Sequence, residues 1–282
     1  MAAVGLALLS AVLFGAMSVA LRMALDRDPD VKLGTITTAR TALVVALVAA
    51  AAEAPARGLH LSSAWPFLLI GLLSPGAAQI FVTVAIREAG ASRVSMVFGT
   101  APLVSVTIAL VFLGEPASAP LIVGAILIVA GGVELARERE RPAHLNRLGL
   151  GYAFAGATLF AIRDNLVRHL AIGTTAVPPE VAASAALLGG TLLIAVWARD
   201  GMGRRWLRFV PAGVLFGASY VSLFEAYYRG RVTVVAPLVA VESLVGVGLS
   251  ALFLRESEHI GTRLLVGAAL IVAGGALIGA YR

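Results

Sequence analysis

No cysteine occurs in the 282 residues, and a single lysine, Lys32, stands against 21 arginines. The missing thiols exclude disulfides, thiolate metal sites and cysteine nucleophiles. Four histidines, His60, His144, His169 and His259, are too scattered for metal-ligand spacing, so neither a metal nor a cofactor is expected. Charge is scarce too: Asp, Glu, Lys and Arg make up 13% of the chain, about half the roughly 25% of a soluble domain. There is no G-x-x-x-x-G-K-[ST] phosphate loop and no His-Glu-x-x-His or Ser/His/Asp constellation, which speaks against ATP-driven work and against an enzyme.

What is present is apolarity. Hydrophobic residues make up 59% of the chain and the mean hydropathy is +0.93. Ten apolar stretches, roughly 4–25, 33–52, 65–86, 93–114, 117–136, 149–171, 181–198, 208–228, 232–254 and 262–281, approach or exceed the length of a membrane-crossing helix. They are continuously apolar, without the period-two alternation of a β-barrel. Residues 1–21 lack a basic flank before the apolar run, so they read as a first span and not as a signal peptide. The expectation is an all-α integral membrane protein with ten transmembrane helices and the lipid bilayer as its main partner. The net charge of +6 would raise nucleic-acid binding in a soluble chain, but here the arginines fall in loops, and no nucleic acid is expected.

One ten-residue phrase occurs twice. Residues 123–132 read VGAILIVAGG and residues 266–275 read VGAALIVAGG, differing only at Ile126 and Ala269. Upstream, Phe112-Leu113-Gly114-Glu115 corresponds to Phe253-Leu254-Arg255-Glu256. A period near half the chain length means two copies of one unit, predicted at 1–136 and 149–282 with 137–148 as the link. Five crossings per copy force the second to enter from the opposite side, which gives two inverted five-helix repeats. Secondary transporters use that arrangement with a substrate site near the midplane. Basic residues number 15 on the side of the loops after spans 1, 3, 5, 7 and 9, and 5 on the other. The positive-inside rule then puts both termini outside.

The second half of each copy resembles the drug/metabolite transporter superfamily, in particular its ten-helix EamA-type exporters. The residues that carry the likeness are Ala89-Gly90-Ala91-Ser92-Arg93-Val94-Ser95, Ala101-Pro102-Leu103, Phe112-Leu113-Gly114-Glu115 and the glycine-rich fifth span. In the second copy they are Val232-Thr233, Glu242-Ser243, Phe253-Leu254-Arg255-Glu256 and Gly274-Gly275. Leu13-Phe14-Gly15 and Arg40 are similar to the family's opening helices. The resemblance implies export of small metabolites, often amino acids, by alternating access across a bacterial inner membrane. It also implies cytoplasmic termini, against the loop charges. A monomer and a homodimer both fit, the second through the small residues of Gly275-xxx-Gly279.

A charge at the bilayer centre costs at least about 2.5–3.5 kcal/mol, so each needs a reason. Four lie well inside spans: Arg40, Arg163, Asp164 and Glu242. They sum to zero, which suits either internal ion pairs or a water-filled substrate site. Arg163 points about 100° from Asp164 on an ideal helix, so it is expected to lack a partner in its own span and to meet an anionic substrate group. Asp164 and Arg168, at i and i+4, are expected to bridge. Glu242, five residues after Pro237, is placed to hold an ammonium group or a coupling proton. Gln79, the lone amide of span 3, and Tyr220, deep in span 8, complete the candidate substrate site. Tyr227, Tyr228 and Trp65 are assigned to the interfacial aromatic belt. Glu115 and Glu256 are assigned to caps or loop contacts. Pro75-Gly76, Pro102 and Pro237 mark expected helix breaks. The leading function is therefore a secondary exporter of small polar metabolites. A facilitator or exchanger on the same fold, and a membrane-embedded lipid-modifying enzyme, are the alternatives.

Overall fold

The structure, a computed structural model, describes residues 2–113, 118–136, 147–173, 177–198, 205–254 and 261–280. Glu115, Arg255, Glu256 and most of the predicted 137–148 link lie outside them.

Among the described residues thirteen α-helices account for the fold, and no strand occurs. In chain order they are α1 Ala2–Arg27, α2 Val31–Arg57, α3 Trp65–Gly71, α4 Ala78–Ala89, α5 Ala91–Gly99, α6 Ala101–Phe112, α7 Ala119–Ala136, α8 Arg147–Gly173, α9 Pro179–Trp197, α10 Val210–Arg229, α11 Val232–Val239, α12 Val241–Phe253 and α13 Thr262–Ala280. Local chemistry sets the ends. The Asp30 side chain accepts from the Leu33 amide at 2.9 Å and caps α2. Gly90, at φ 85°, turns the chain from α4 into α5 in a conformation that L side chains rarely adopt.

Three spans are broken where the sequence places prolines. Span 3 has a wide turn at Leu72–Ala77 between α3 and α4, and Ser74, the residue before Pro75, is extended at φ −147°, ψ 117°. The clash between a proline ring and the preceding residue disfavours helical geometry there. Span 4 breaks at Thr100 between α5 and α6, two residues before Pro102, and span 9 breaks at Ala240 between α11 and α12, three after Pro237. Hydroxyls close both breaks. Thr100 Oγ1 donates to the Val97 carbonyl at 2.6 Å, and Ser243 Oγ donates to that of Ala240 at 2.7 Å.

Among the described residues, seven segments are long and apolar enough to cross a membrane: Ala2–Arg27, Val31–Arg57, Trp65–Ala89, Ala91–Phe112, Pro179–Trp197, Trp206–Arg229 and Val232–Phe253. The 27-residue α8 is long enough but carries Arg163, Asp164 and Arg168 in its body. In α7 and α13 the apolar stretches Ala119–Ile128 and Thr262–Leu277 are shorter. The chain is a multi-pass helical membrane protein.

The two halves interdigitate. α1 lies along α10 and α8 along α4; α2 packs on α9 and α10, while α9 packs on α3; α5 faces α12 and α7 faces α13. Exchanging the halves turns the first of these pairings into the second, and α2–α10 into α9–α3. The repeated phrase explains the α7–α13 seam. A Cβ on Gly131 would run into the Gly267 carbonyl oxygen, and one on Gly274 into that of Gly124, so both backbones approach as closely as glycine allows.

Candidate functional site

A cavity of about 40 Å³ lies between the halves, walled by α1, α5, α6, α8, α10, α11 and α12. At roughly 10–15 Å³ per water it holds a few water molecules, so a larger occupant requires its walls to move. The wall is mostly aromatic and apolar. Phe14 meets Phe98, Phe160 and Phe216 with ring centroids 5.6, 5.8 and 6.1 Å apart, and Phe98 meets Phe160 at 5.6 Å. Phe14 and Phe160 follow a leucine in the first helix of each half, Leu13-Phe14 and Leu159-Phe160, so the duplication supplies this part of the wall twice.

The charged part of the wall comes from the second half, with the first half adding the hydroxyls of Ser10 and Ser105. Arg163 is buried on α8, its guanidinium carbon 4.7 Å from the Phe160 ring centroid and 4.9 Å from that of Tyr220. Stacking between two rings suits the planar, weakly hydrated guanidinium. Contrary to expectation, Arg163 finds its partner in the adjacent residue: Nε and Nη2 donate to Asp164 Oδ1 at 2.9 and 2.6 Å. A long side chain can curl back along its helix, and inside a dry bundle the nearest counter-ion wins. The third nitrogen, Nη1, is buried without an acceptor.

Arg168 donates instead to the carbonyls of Tyr227 at 3.0 Å and Tyr228 at 3.5 Å. Arg22, eight residues after Phe14 as Arg168 is after Phe160, does the same to Ile86 at 3.1 Å and Arg87 at 2.9 Å. Each arginine thus satisfies carbonyls near the end of a helix from its own half.

Glu242 lies in the first turn of α12, just past the Ala240 break, and is 4% exposed. Among the described residues its carboxylate accepts no hydrogen bond. Arg163 and Asp164 are the charges within its electrostatic reach. Tyr220 lines the cavity as expected, and its hydroxyl donates to the Ser74 carbonyl at 2.8 Å, bracing the span 3 break. Asn165 Nδ2 ties α8 to α6 through the Ser105 carbonyl at 3.1 Å.

Two candidates are placed elsewhere. Arg40 is exposed on α2 and outside the cavity wall, so it does not balance Glu242. Gln79 is fully buried on α4 but is not part of the wall, and neither its amide nitrogen nor its oxygen has a partner. With Arg40 gone, the charges in the wall are one cation and two carboxylates. Tyr227 is likewise corrected: it is fully buried, not interfacial, whereas Trp65 is 65% exposed and fits the belt. The aromatic box and the ion cluster joining Arg57, Glu180 and Glu225 were not foreseen. Repetition of Leu-Phe could have pointed to the box, but no signal in the sequence pairs residues 123 and 168 positions apart.

Comparison with known proteins agrees with this architecture. The model of the EamA-like transporter family matches residues 1–134 and again residues 147–280. No curated protein matches the chain. Of 29 matching chains among the solved structures, one described only as "Crystal structure of protein" superimposes with a TM-score of 0.71. It is 22% identical, over 98% of this chain and 94% of its own, a likeness that speaks for the fold alone.

Proposed function

The chain belongs to the EamA-like transporter family, and from that premise we propose that it is a secondary exporter of small polar metabolites, amino acids in particular, working by alternating access. The single observation that carries the substrate class is a pair of unmet groups of opposite sign in one cavity wall. Among the described residues Arg163 Nη1 has no acceptor, and the Glu242 carboxylate has no donor. A zwitterion meets both: its carboxylate receives the guanidinium hydrogen and its ammonium donates to Glu242, each a charge-assisted bond. The phenylalanine box takes the apolar side chain.

The cavity's small size fits an occluded state between two open ones. Helix pairings that interchange when the halves are exchanged support two inverted five-helix repeats, as alternating access requires. The spans broken at Ser74, Thr100 and Ala240 supply hinges beside the cavity. The surplus carboxylate favours a coupled carrier over a passive facilitator, because Glu242 can exchange the substrate's ammonium for a proton. The setting is a bacterial inner membrane.

Counterflow in proteoliposomes tests the reading. Saturable exchange of a labelled neutral amino acid is expected, with competition by analogues that keep both charges and little by those lacking either one. Equal competition by an amine without a carboxylate would refute the zwitterion assignment, and absence of exchange across a broad amino-acid panel would refute the class.

A further inference from the structure

An ionic cluster outside the cavity ties three helices together at the end of the bundle where α2 and α10 finish and α9 begins. Arg57 Nη1 donates to Glu180 Oε1 at 2.6 Å and to Glu225 Oε1. The other Glu225 oxygen accepts from Arg229 Nε at 2.7 Å, and Arg57 Nε lies 3.6 Å from Glu53 Oε2. Arg57 comes from the first half of the chain, while Glu180, Glu225 and Arg229 come from the second, so the cluster bridges the seam between them.

Its position relative to the cavity follows from α10. That helix contributes Phe216, Ser219, Tyr220 and Leu223 to the wall before it reaches Glu225. At 1.5 Å per residue, Glu225 sits about 7.5 Å beyond Tyr220 along the axis. Arg57 holds this end of α10 against α2 and α9. At the opposite end of the bundle, the pairs Arg22–Asp26 at 3.1 Å and Arg87–Glu88 at 2.6 Å each join residues of a single helix, and Arg22 reaches α4 through the Ile86 and Arg87 carbonyls and not through a carboxylate.

The exposures suit a contact that is made and broken. The side chains of Glu180 and Glu225 are 5% and 10% exposed, whereas Arg57 is 35% exposed at the rim. A half-exposed guanidinium regains water cheaply when it leaves, so the pairs are weak enough to open. Two neighbouring buried carboxylates left without it repel each other and draw it back. A helix that carries wall residues at one level and this contact at the next couples the contact to the wall, which is what a switch between a bonded and a swung-out position requires.

We propose that Arg57, Glu180 and Glu225 form an electrostatic latch that closes the cavity at this end of the bundle and is broken each time the cavity opens there. The latch rests on the alternating-access reading, and the two fail differently.

The cysteine-free chain provides the test. Ser105→Cys places one thiol in the cavity wall, and Leu59→Cys, made separately, marks the membrane face at which the latch lies. The rate of reaction with a membrane-impermeant maleimide is measured from each face. Glu180→Gln keeps shape and removes one latch charge. The Ser105→Cys rate from the marked face is expected to rise on the order of fivefold, with a fall from the other face, the upper end of what one rim ion pair contributes. Glu225→Gln, which removes the other latch carboxylate, gives a rise of the same order in the same direction and keeps the test open should Glu180→Gln fold poorly. The charge swap Arg57→Glu with Glu180→Arg restores the parent ratio. Unchanged rates in Glu180→Gln and Glu225→Gln, or a swap that labels like Glu180→Gln, overturn the latch. Labelling of Ser105→Cys from one face only, with and without substrate, removes alternating access and the latch with it.

Discussion

Glu242→Gln separates chemistry from packing, because the two readings of this carboxylate move stability and transport in different ways. The side chain is 4% exposed and accepts no hydrogen bond among the described residues, so in the empty carrier it contributes nothing that an amide of the same shape would lose. A buried polar group without a partner costs about 1–3 kcal/mol, whereas a buried ion costs several. The variant should therefore melt at or above the parent's midpoint. Transport should move the other way. A hydrogen bond between a charged group and its partner is worth about 1.5–3 kcal/mol, which at about 1.4 kcal/mol per decade is roughly a 10- to 150-fold loss of apparent affinity for a substrate ammonium. The assays are thermal unfolding in detergent and concentration-dependent counterflow in proteoliposomes, with and without a pH gradient. An apparent KM within about threefold of the parent, together with unchanged gradient dependence, would refute the assignment, since such a change is smaller than a single charged hydrogen bond. Asp164 would then be the better carboxylate. A marked loss of stability would refute the premise that Glu242 is unpaired.

Asp164→Asn leaves the buried Arg163 guanidinium without its counter-ion, and breaking a buried pair from one side costs about 3–5 kcal/mol. The midpoint in detergent should fall by roughly 10 °C at 2–4 °C per kcal/mol; an unchanged midpoint would mean that the pair contributes no net stability. Arg163→Lys keeps the charge but loses both the fork and the stack between Phe160 and Tyr220. Exchange should drop at least tenfold, the worth of about one charged hydrogen bond, and wild-type rates in both Arg163→Lys and Arg163→Ala would remove the residue from the substrate site. Single cysteines in residues 115–119 and 255–261 should react with an impermeant reagent from opposite sides of the membrane. Reaction from one shared side would overturn the inverted arrangement.

How far the sequence foretold the molecule depended on the range of the physics involved. Helix breaks were legible because proline acts on its immediate neighbours: Ser74, Thr100 and Ala240 all lie within three residues of one. Depth along a span was legible from hydropathy, and Arg163, Asp164 and Glu242 are indeed buried. Which way a side chain faces was less so. Arg40 is as deep in the sequence of its span as the others, yet it is exposed, because the rotation of α2 is set by its partners. A signal existed. Ala39, Ala42, Ala46 and Ala50 recur at helical spacing and are all buried, so they mark the packed face, and Arg40 lies about 100° off Ala39. The Arg163–Asp164 pair was missed for another reason: ideal helix geometry locates Cβ atoms, not the ends of long side chains.

Duplication explains why scaffold and chemistry differed in legibility. Aligning Leu13-Phe14 with Leu159-Phe160 sets Met17-Ser18 against Arg163-Asp164, and aligning Phe112 with Phe253 sets Ala101 against Glu242. Both copies keep the phenylalanine, the arginine that satisfies helix-end carbonyls and the glycine seam, all of which the packing of two equivalent halves demands. Only the second copy carries the charges in the wall. Two identical polar faces would place like charges opposite each other in a confined cavity at high electrostatic cost. One charged wall against one apolar wall avoids that repulsion and would give the proposed zwitterion a single orientation. On the proposed alternating-access cycle, exchange of the two halves would carry the site from one membrane face to the other while the same residues hold the substrate. Where two copies agree residue for residue, the agreement reports packing; where they disagree at a cavity wall, the disagreement is the better guide to what the cavity holds.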